Sequence, residues 1–152
     1  MTPETRSRTS TETGTSNSLA RLVAIFTIVA GLVMIVAGAA TWMTVQSSLA
    51  DERITVSEDS PRFANDAVDG PLTAYQEAQM IELHYLESTE GKTYAELDRE
   101  DPLRQTAMTA SFLRASLFTS VVSFGVAAMA AGLGVVLLLL GLALNALSRR
   151  TA

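Results

Sequence analysis

A single histidine, His84, sixteen Asp and Glu residues and no cysteine are the groups in this 152-residue chain that could hold a metal or move a proton. A facial iron site needs two imidazoles and a carboxylate, and zinc sites usually draw on two or more His or Cys ligands, so one copy of the chain can build neither. Without thiols there is also no disulfide framework. Carboxylates pair in sequence at Asp51/Glu52, Glu58/Asp59 and Glu100/Asp101. Glycosidase-type catalysis would need two of them across a cleft with one desolvated, and a small segment offers little to desolvate them. The cluster Asn65, Asp66, Asp69, Gly70 could attract a divalent cation weakly, but it lacks EF-hand spacing. No nucleophile elbow, phosphate-binding loop or dinucleotide fingerprint occurs. The expectation is a protein that is not an enzyme, with no cofactor, no catalytic residue and no metal site. His84 reads as a solvated side chain, or alternatively as a pH-sensitive group, because imidazole titrates near neutrality.

The elements that carry these groups follow from where the apolar residues lie. No charged residue occurs between Arg21 and Asp51, nor between Arg114 and Arg149. Crossing about 30 Å of hydrocarbon takes about 20 residues at 1.5 Å each, since a helix satisfies its own backbone hydrogen bonds. Both runs exceed that, and neither has the polar face a soluble core helix needs. Transmembrane helices are expected at 19–45 and 113–147, with Trp42 at a membrane interface. A cleaved signal peptide is the rival reading of the first run, with Ala37-Gly38-Ala39 as the cleavage site; its apolar stretch is longer than the usual h-region of about 7 to 15 residues. Small residues recur at helical spacing, Gly31 and Gly38 in the first run and Gly125, Gly132, Gly134 and Gly141 in the second. Such positions let helix backbones approach in lipid, which predicts an antiparallel two-helix transmembrane hairpin with a small-residue face left for a membrane-protein partner or self-association. The spans carry no acidic residue, histidine or lysine, which argues against proton-coupled transport by a single chain.

Residues 1–18 lack large apolar side chains beyond Met1 and read as a disordered cytoplasmic tail, with a second short tail at 148–152. Arg21, Arg149 and Arg150 abut the apolar runs and favour cytoplasmic termini, although Arg53, Arg62, Lys92, Arg99, Arg104 and Arg114 in the middle nearly balance them. Arg21, Trp42, Arg114, Arg149 and Arg150 are the expected interface anchors, with Arg114 snorkelling to head groups. Between the spans, 46–112 forms an acidic extracytoplasmic loop holding 14 acidic and 6 basic residues from Asp51 through Arg114. Nucleic acid is disfavoured by that charge. Ile54-Thr55-Val56 is too short to predict a strand. A helix is expected after Asp69-Gly70-Pro71, capped by Thr73, with Tyr75, Ala78, Ile81 and Tyr85 on its inner face, Glu77, Glu82 and Glu87 facing elsewhere, and Gly91 at or after its end. Thr93 with Glu96 signals a capping box, and Asp101-Pro102 a helix start that runs unbroken toward the second span. The fold class is thus an all-α membrane protein with a mostly helical loop. Ten arginines against one lysine, with abundant Ala, Val, Thr and Leu, suit a high-GC bacterial genome and so a bacterial plasma membrane.

The stretch from Gly91 to Pro102, continuing through Met108 to Leu117, resembles a family of actinobacterial two-pass membrane proteins over roughly residues 20–147. Members are often labelled "aromatic ring-opening dioxygenase LigA". The label would imply iron held by two histidines and a carboxylate; with His84 alone, no catalytic residue carries over. The resulting expectation is a non-enzymatic membrane accessory or scaffold protein that presents its acidic loop to another envelope protein. The alternative is a small-molecule or ion-responsive membrane sensor, and a more distant one is the dioxygenase of the family label.

Overall fold

The computed structural model describes residues 12–150, with side chains over residues 18–149. Three helices account for most of them: α1, Glu12–Asp51; α2, Pro71–Ser88; and α3, Arg104–Arg150. There is no strand among the described residues, only an isolated antiparallel bridge between Thr55 and Ala67. Prolines punctuate this pattern. Pro61 lies in the α1–α2 connection, Pro71 opens α2 where its missing N–H is harmless, and Pro102 precedes α3.

At 40 and 47 residues, α1 and α3 outrun the expected spans at both ends. The expected tail 1–18 lies outside the described residues up to 11, and the remainder is helical, since α1 begins at Glu12. Adding a turn to an existing helix avoids the nucleation cost, so a polar stretch unable to start a helix can extend one. Both helices are long and apolar enough to cross a membrane, and only 17% of the most apolar 18-residue stretch of each is buried. Phe26, Val36, Leu139 and Leu147 are each more than 60% exposed. Side chains of that size left uncovered suggest a lipid bilayer as their surroundings.

The chain divides into two compact units, one made of the described parts of Met1–Gly38 and Met129–Ala152, the other of Ala39–Ala128. In the first, the two helices meet at backbone distance. A Cβ on Gly31 would lie 2.6 Å from the Gly134 carbonyl oxygen and 2.8 Å from Leu138 N; one on Gly134 would lie 2.6 Å from the Gly31 oxygen. A Cβ on Gly141 would meet Ile28 N at 2.9 Å and Ala24 O at 3.0 Å. All of these neighbours are backbone atoms, so no rotamer change relieves the clash.

The second unit has two apolar clusters. Leu49, Val56, Val68, Ala74, Ala78, Leu117 and Phe124 form one; Tyr85, Leu97, Ala107 and Ala110 form the other. Alanines on both α2 and α3 allow the two helices to pack closely. Residues 52–70 fold back on themselves through Val56 N–H to Asp66 O, Asn65 N–H to Val56 O and Val68 N–H to Ile54 O, at 2.9 to 3.0 Å. This turns Val56 and Val68 inward, each 1% exposed. Thr73, expected as the cap of α2, instead lies at N3 behind Gly70; its hydroxyl oxygen accepts the Gly70 N–H at 3.2 Å. Pro71 at N1 accounts for the earlier start. After α2 ends at Ser88, Gly91 takes φ +82° and donates its N–H to Leu86 O at 2.7 Å, closing the C-terminus. The Thr93–Glu96 contact forms, with Glu96 Oε2 accepting both the Thr93 N–H and hydroxyl at 2.8 Å, and it closes the short turn through Leu97 that the capping box leads one to expect. These two bonds, backbone first, hold the Glu96 carboxyl below its ordinary pKa.

The inner face of α2 also departs from expectation. Glu77 points inward and is buried, whereas Tyr75 is 48% exposed. The cause is the α1–α2 connection: Glu77 Oε2 accepts the Ser57 N–H at 2.8 Å and both carboxylate oxygens face the Ser57 hydroxyl. Replacing Glu77 with Ala leaves the Ser57 amide unpaired and is expected to destabilise the unit by about 1 to 3 kcal/mol, read as a lower Tm and faster amide exchange at Ser57. Gly31→Leu and Gly134→Leu are expected to lower the Tm in detergent by overpacking of about 1 to 3 kcal/mol. Gly125→Ala and Gly132→Ala, where an added Cβ meets nothing within 4 Å, should leave it unchanged.

Candidate functional site

Within the second unit, α2 and α3 flank an open groove of about 540 Å³. Ile81, Tyr85, Ala110 and Leu113 give it an apolar floor, and His84, Ser88, Gln105, Thr106 and Thr109 supply polar groups. Leu83, Phe112 and Leu113 are exposed. Ala110, a small side chain among the groove's lining residues, leaves room beside Tyr85 and Leu113.

His84 is not the solitary solvated residue expected. Its Nε2 lies 2.8 Å from Asp59 Oδ2, although both side chains remain substantially exposed. The hydrogen bond to Asp59 raises the imidazole pKa above its ordinary 6.5, with the Asp59, Glu87 and Glu77 charges assisting. The same bond lowers Asp59 below 3.8. Sequence reasoning missed the pair because the partners lie 25 residues apart and on different elements.

Arg114 was expected to snorkel as an interface anchor. Its Nη2 sits 2.6 Å from Glu82 Oε2 on α2, and its guanidinium lies 5.2 Å from the Phe118 ring centroid, contacts the sequence did not announce. Arg104 folds back similarly, donating to the carbonyls of Tyr94 at 3.3 Å and of Leu97, with its guanidinium 4.3 Å above the Tyr94 ring. Trp42 packs edge-on against Phe124 at 4.7 Å. Among the other expected residues, Gly31, Gly38, Gly134 and Gly141 are buried, Gly125 and Gly132 are exposed, and Arg21 and Arg149 are exposed; Arg150 is the last residue of α3. Among the described residues no three His, Asp or Glu side chains converge as metal ligands would.

No known protein family, curated protein or solved structure matches this chain.

Because His84 is the only histidine, its ring resonances report this pair alone. The pKa is expected above 6.5 in the native protein and to fall back toward it in Asp59→Asn, read by NMR titration. The sign for stability follows from the two shifts. His84 stabilises fully below its unfolded value near 6.5 and loses this as pH rises through its raised native pKa; Asp59 stabilises above 3.8 and loses this as pH falls through its lowered one. The contribution is therefore greatest between about pH 3.8 and 6.5, and an Asp59→Asn Tm deficit that did not shrink as pH rose through the raised His84 pKa or fell through the lowered Asp59 pKa would contradict the assignment.

Proposed function

We propose that this is a two-pass protein of the bacterial plasma membrane, with both termini cytoplasmic and residues 43–124 outside, acting as a non-enzymatic accessory or scaffold subunit. In this reading α1 and α3 form an antiparallel hairpin. Gly31 meets Gly134 while Ile28, earlier in α1, meets Gly141, later in α3, as opposed helices require. Trp42 against Phe124 marks the outer boundary, which leaves 22–42 and 125–148 in lipid, about 32 to 36 Å of helix each. Arg114 then stands about 15 Å beyond that boundary, consistent with its pairing to Glu82. The resemblance to actinobacterial two-pass proteins supports the same topology.

The observation that carries the functional reading is the apolar α2/α3 groove in a segment of strongly acidic balance, 14 acidic against 6 basic residues. Such a surface is complementary to a segment of an envelope protein that carries apolar anchors flanked by Lys or Arg. The negative charge disfavours nucleic acid. A small-molecule sensor is the second reading, because the groove's volume falls within the range of about 300 to 1,000 Å³ typical of ligand sites. Ring-opening chemistry would require imidazoles the chain lacks.

Purification of the full chain from native membranes in mild detergent is expected to retain a stoichiometric envelope protein. Leu113→Asp and Thr109→Trp should weaken that retention roughly thirtyfold, the scale of a lost interface anchor. Retention unchanged by both variants would sink the groove as the docking site, and a ligand-dependent thermal shift without any partner would favour sensing. In intact cells, an impermeant thiol reagent should label Glu87→Cys and spare Ser10→Cys; the opposite pattern would invert the topology.

A further inference from the structure

A second, smaller cavity lies between the last turns of α1 and the first half of α3, with a volume of about 220 Å³. Its walls carry hydroxyls, Thr44 and Ser48 from α1 and Thr119, Ser120 and Ser123 from α3, and Glu52 stands among its lining residues. Four of these hydroxyls have already committed their protons. Thr44 donates to Ala40 O at 2.9 Å, Thr119 to Ala115 O at 2.8 Å, Ser120 to Ser116 O at 3.2 Å and Ser123 to Thr119 O at 2.8 Å, each to its own helix one turn back.

That back-bonding decides what the cavity can recognise. A hydroxyl has one proton and two lone pairs, so each of the four offers an incoming ligand only acceptors. Glu52, when ionised, is acceptor-only as well, and it has no ion-pair partner among the described residues. Ser48 and Ser116, which also line the cavity, can still donate, but acceptors outnumber donors there and the single charge is negative, which favours a donor-rich cation. A bare calcium ion is a poor fit, because it would need six to eight oxygens at about 2.3 to 2.6 Å with more than one carboxylate among them. A primary ammonium supplies three N–H donors on a compact positive centre and brings carbon atoms to lie against Val45 and Leu49.

We propose that this cleft binds a primary ammonium group, with Glu52 as its counter-charge and the Ser and Thr oxygens as hydrogen-bond acceptors. Thr44 and Ser123 lie within a turn of Trp42 and Phe124, which puts the inner end of the cleft beside the proposed membrane boundary and makes an ethanolamine phospholipid the expected source. The lipid source rests on the membrane reading above; the ammonium chemistry does not.

The test uses the full-length chain in detergent, probed by native mass spectrometry with phosphatidylethanolamine, with phosphatidylcholine of the same acyl chains, and with free ethanolamine. The choline head group keeps the charge but has no N–H donor. Phosphatidylethanolamine adducts are expected to exceed phosphatidylcholine adducts severalfold, and Glu52→Gln and Ser120→Ala/Ser123→Ala should each reduce that excess, the former about tenfold. Glu52 is exposed, so Glu52→Gln is expected to keep the wild-type circular dichroism and Tm. Binding of free ethanolamine that Glu52→Gln abolishes, without lipid selectivity, would support the ammonium site while removing the lipid source. Equal binding of the two phospholipids with no ethanolamine binding, or an excess that survives both variants, would overturn the proposal.

Discussion

Two helices whose apolar side chains are left almost entirely uncovered impose the central constraint on this protein. With only 17% of the most apolar stretch of each buried, α1 and α3 are long and apolar enough to cross a membrane, and lipid around them would remove the penalty for exposing Phe26, Val36 or Leu139. In that solvent the hydrophobic effect no longer drives one helix against another, so their association depends on packing and on how closely backbones can approach. Gly31, Gly134 and Gly141 meet that need by bringing carbonyl and amide groups of the facing helices within reach. Leucine, isoleucine and valine cover the remaining faces, which lipid tails would solvate.

Outside that regime the rules reverse, and Ala39–Ala128 is held together as a soluble domain would be. It has no disulfide and a small core, so it relies on several modest devices in sequence. Alanines on α2 and α3 bring the helices close, Val56 and Val68 anchor the α1–α2 connection, and Glu77 ties the connection to α2 through Ser57. Arg114–Glu82 and Arg104 over Tyr94 add polar contacts between segments distant in sequence. The Arg114–Glu82 pair is half-buried, and the buried Glu77 would leave an amide unsatisfied if removed. The apolar clusters, Glu77 and this pair therefore hold the unit.

How much of this could be read beforehand depended on the range over which each signal acts. The long helices were legible because apolar composition and the absence of charge accumulate over many residues, and turn chemistry at Gly70-Pro71, Gly91 and Thr93–Glu96 was legible because its partners are neighbours. Thr93–Glu96 shows the short reach of such a signal: the capping contact forms and closes one turn, and the next long helix begins only after Asp101-Pro102. Contacts across the fold left no local trace. Glu77 resembles any solvated carboxylate until Ser57 is brought against it, and His84 resembles a solvated imidazole until Asp59 arrives from 25 residues away. Nothing near Arg114 in sequence announces its pairing with Glu82.

The two cavities of the Ala39–Ala128 unit differ in origin, and that difference sets what each can bind. The α2/α3 groove exists because small side chains leave space beside Tyr85 and Leu113, so it is shaped by missing volume and rewards apolar contact. The α1/α3 cleft exists where serines and threonines replace apolar residues just past Trp42, and its character comes from how those hydroxyls settle their own hydrogen bonds. A hydroxyl that caps the carbonyl one turn back is compatible with a helix beside lipid, because it hides its proton. The same arrangement turns lone pairs outward and makes an acceptor-lined cleft beside an unpaired Glu52. Polar residues tolerated there for backbone reasons thus create a chemical preference for cations that none of them would have alone.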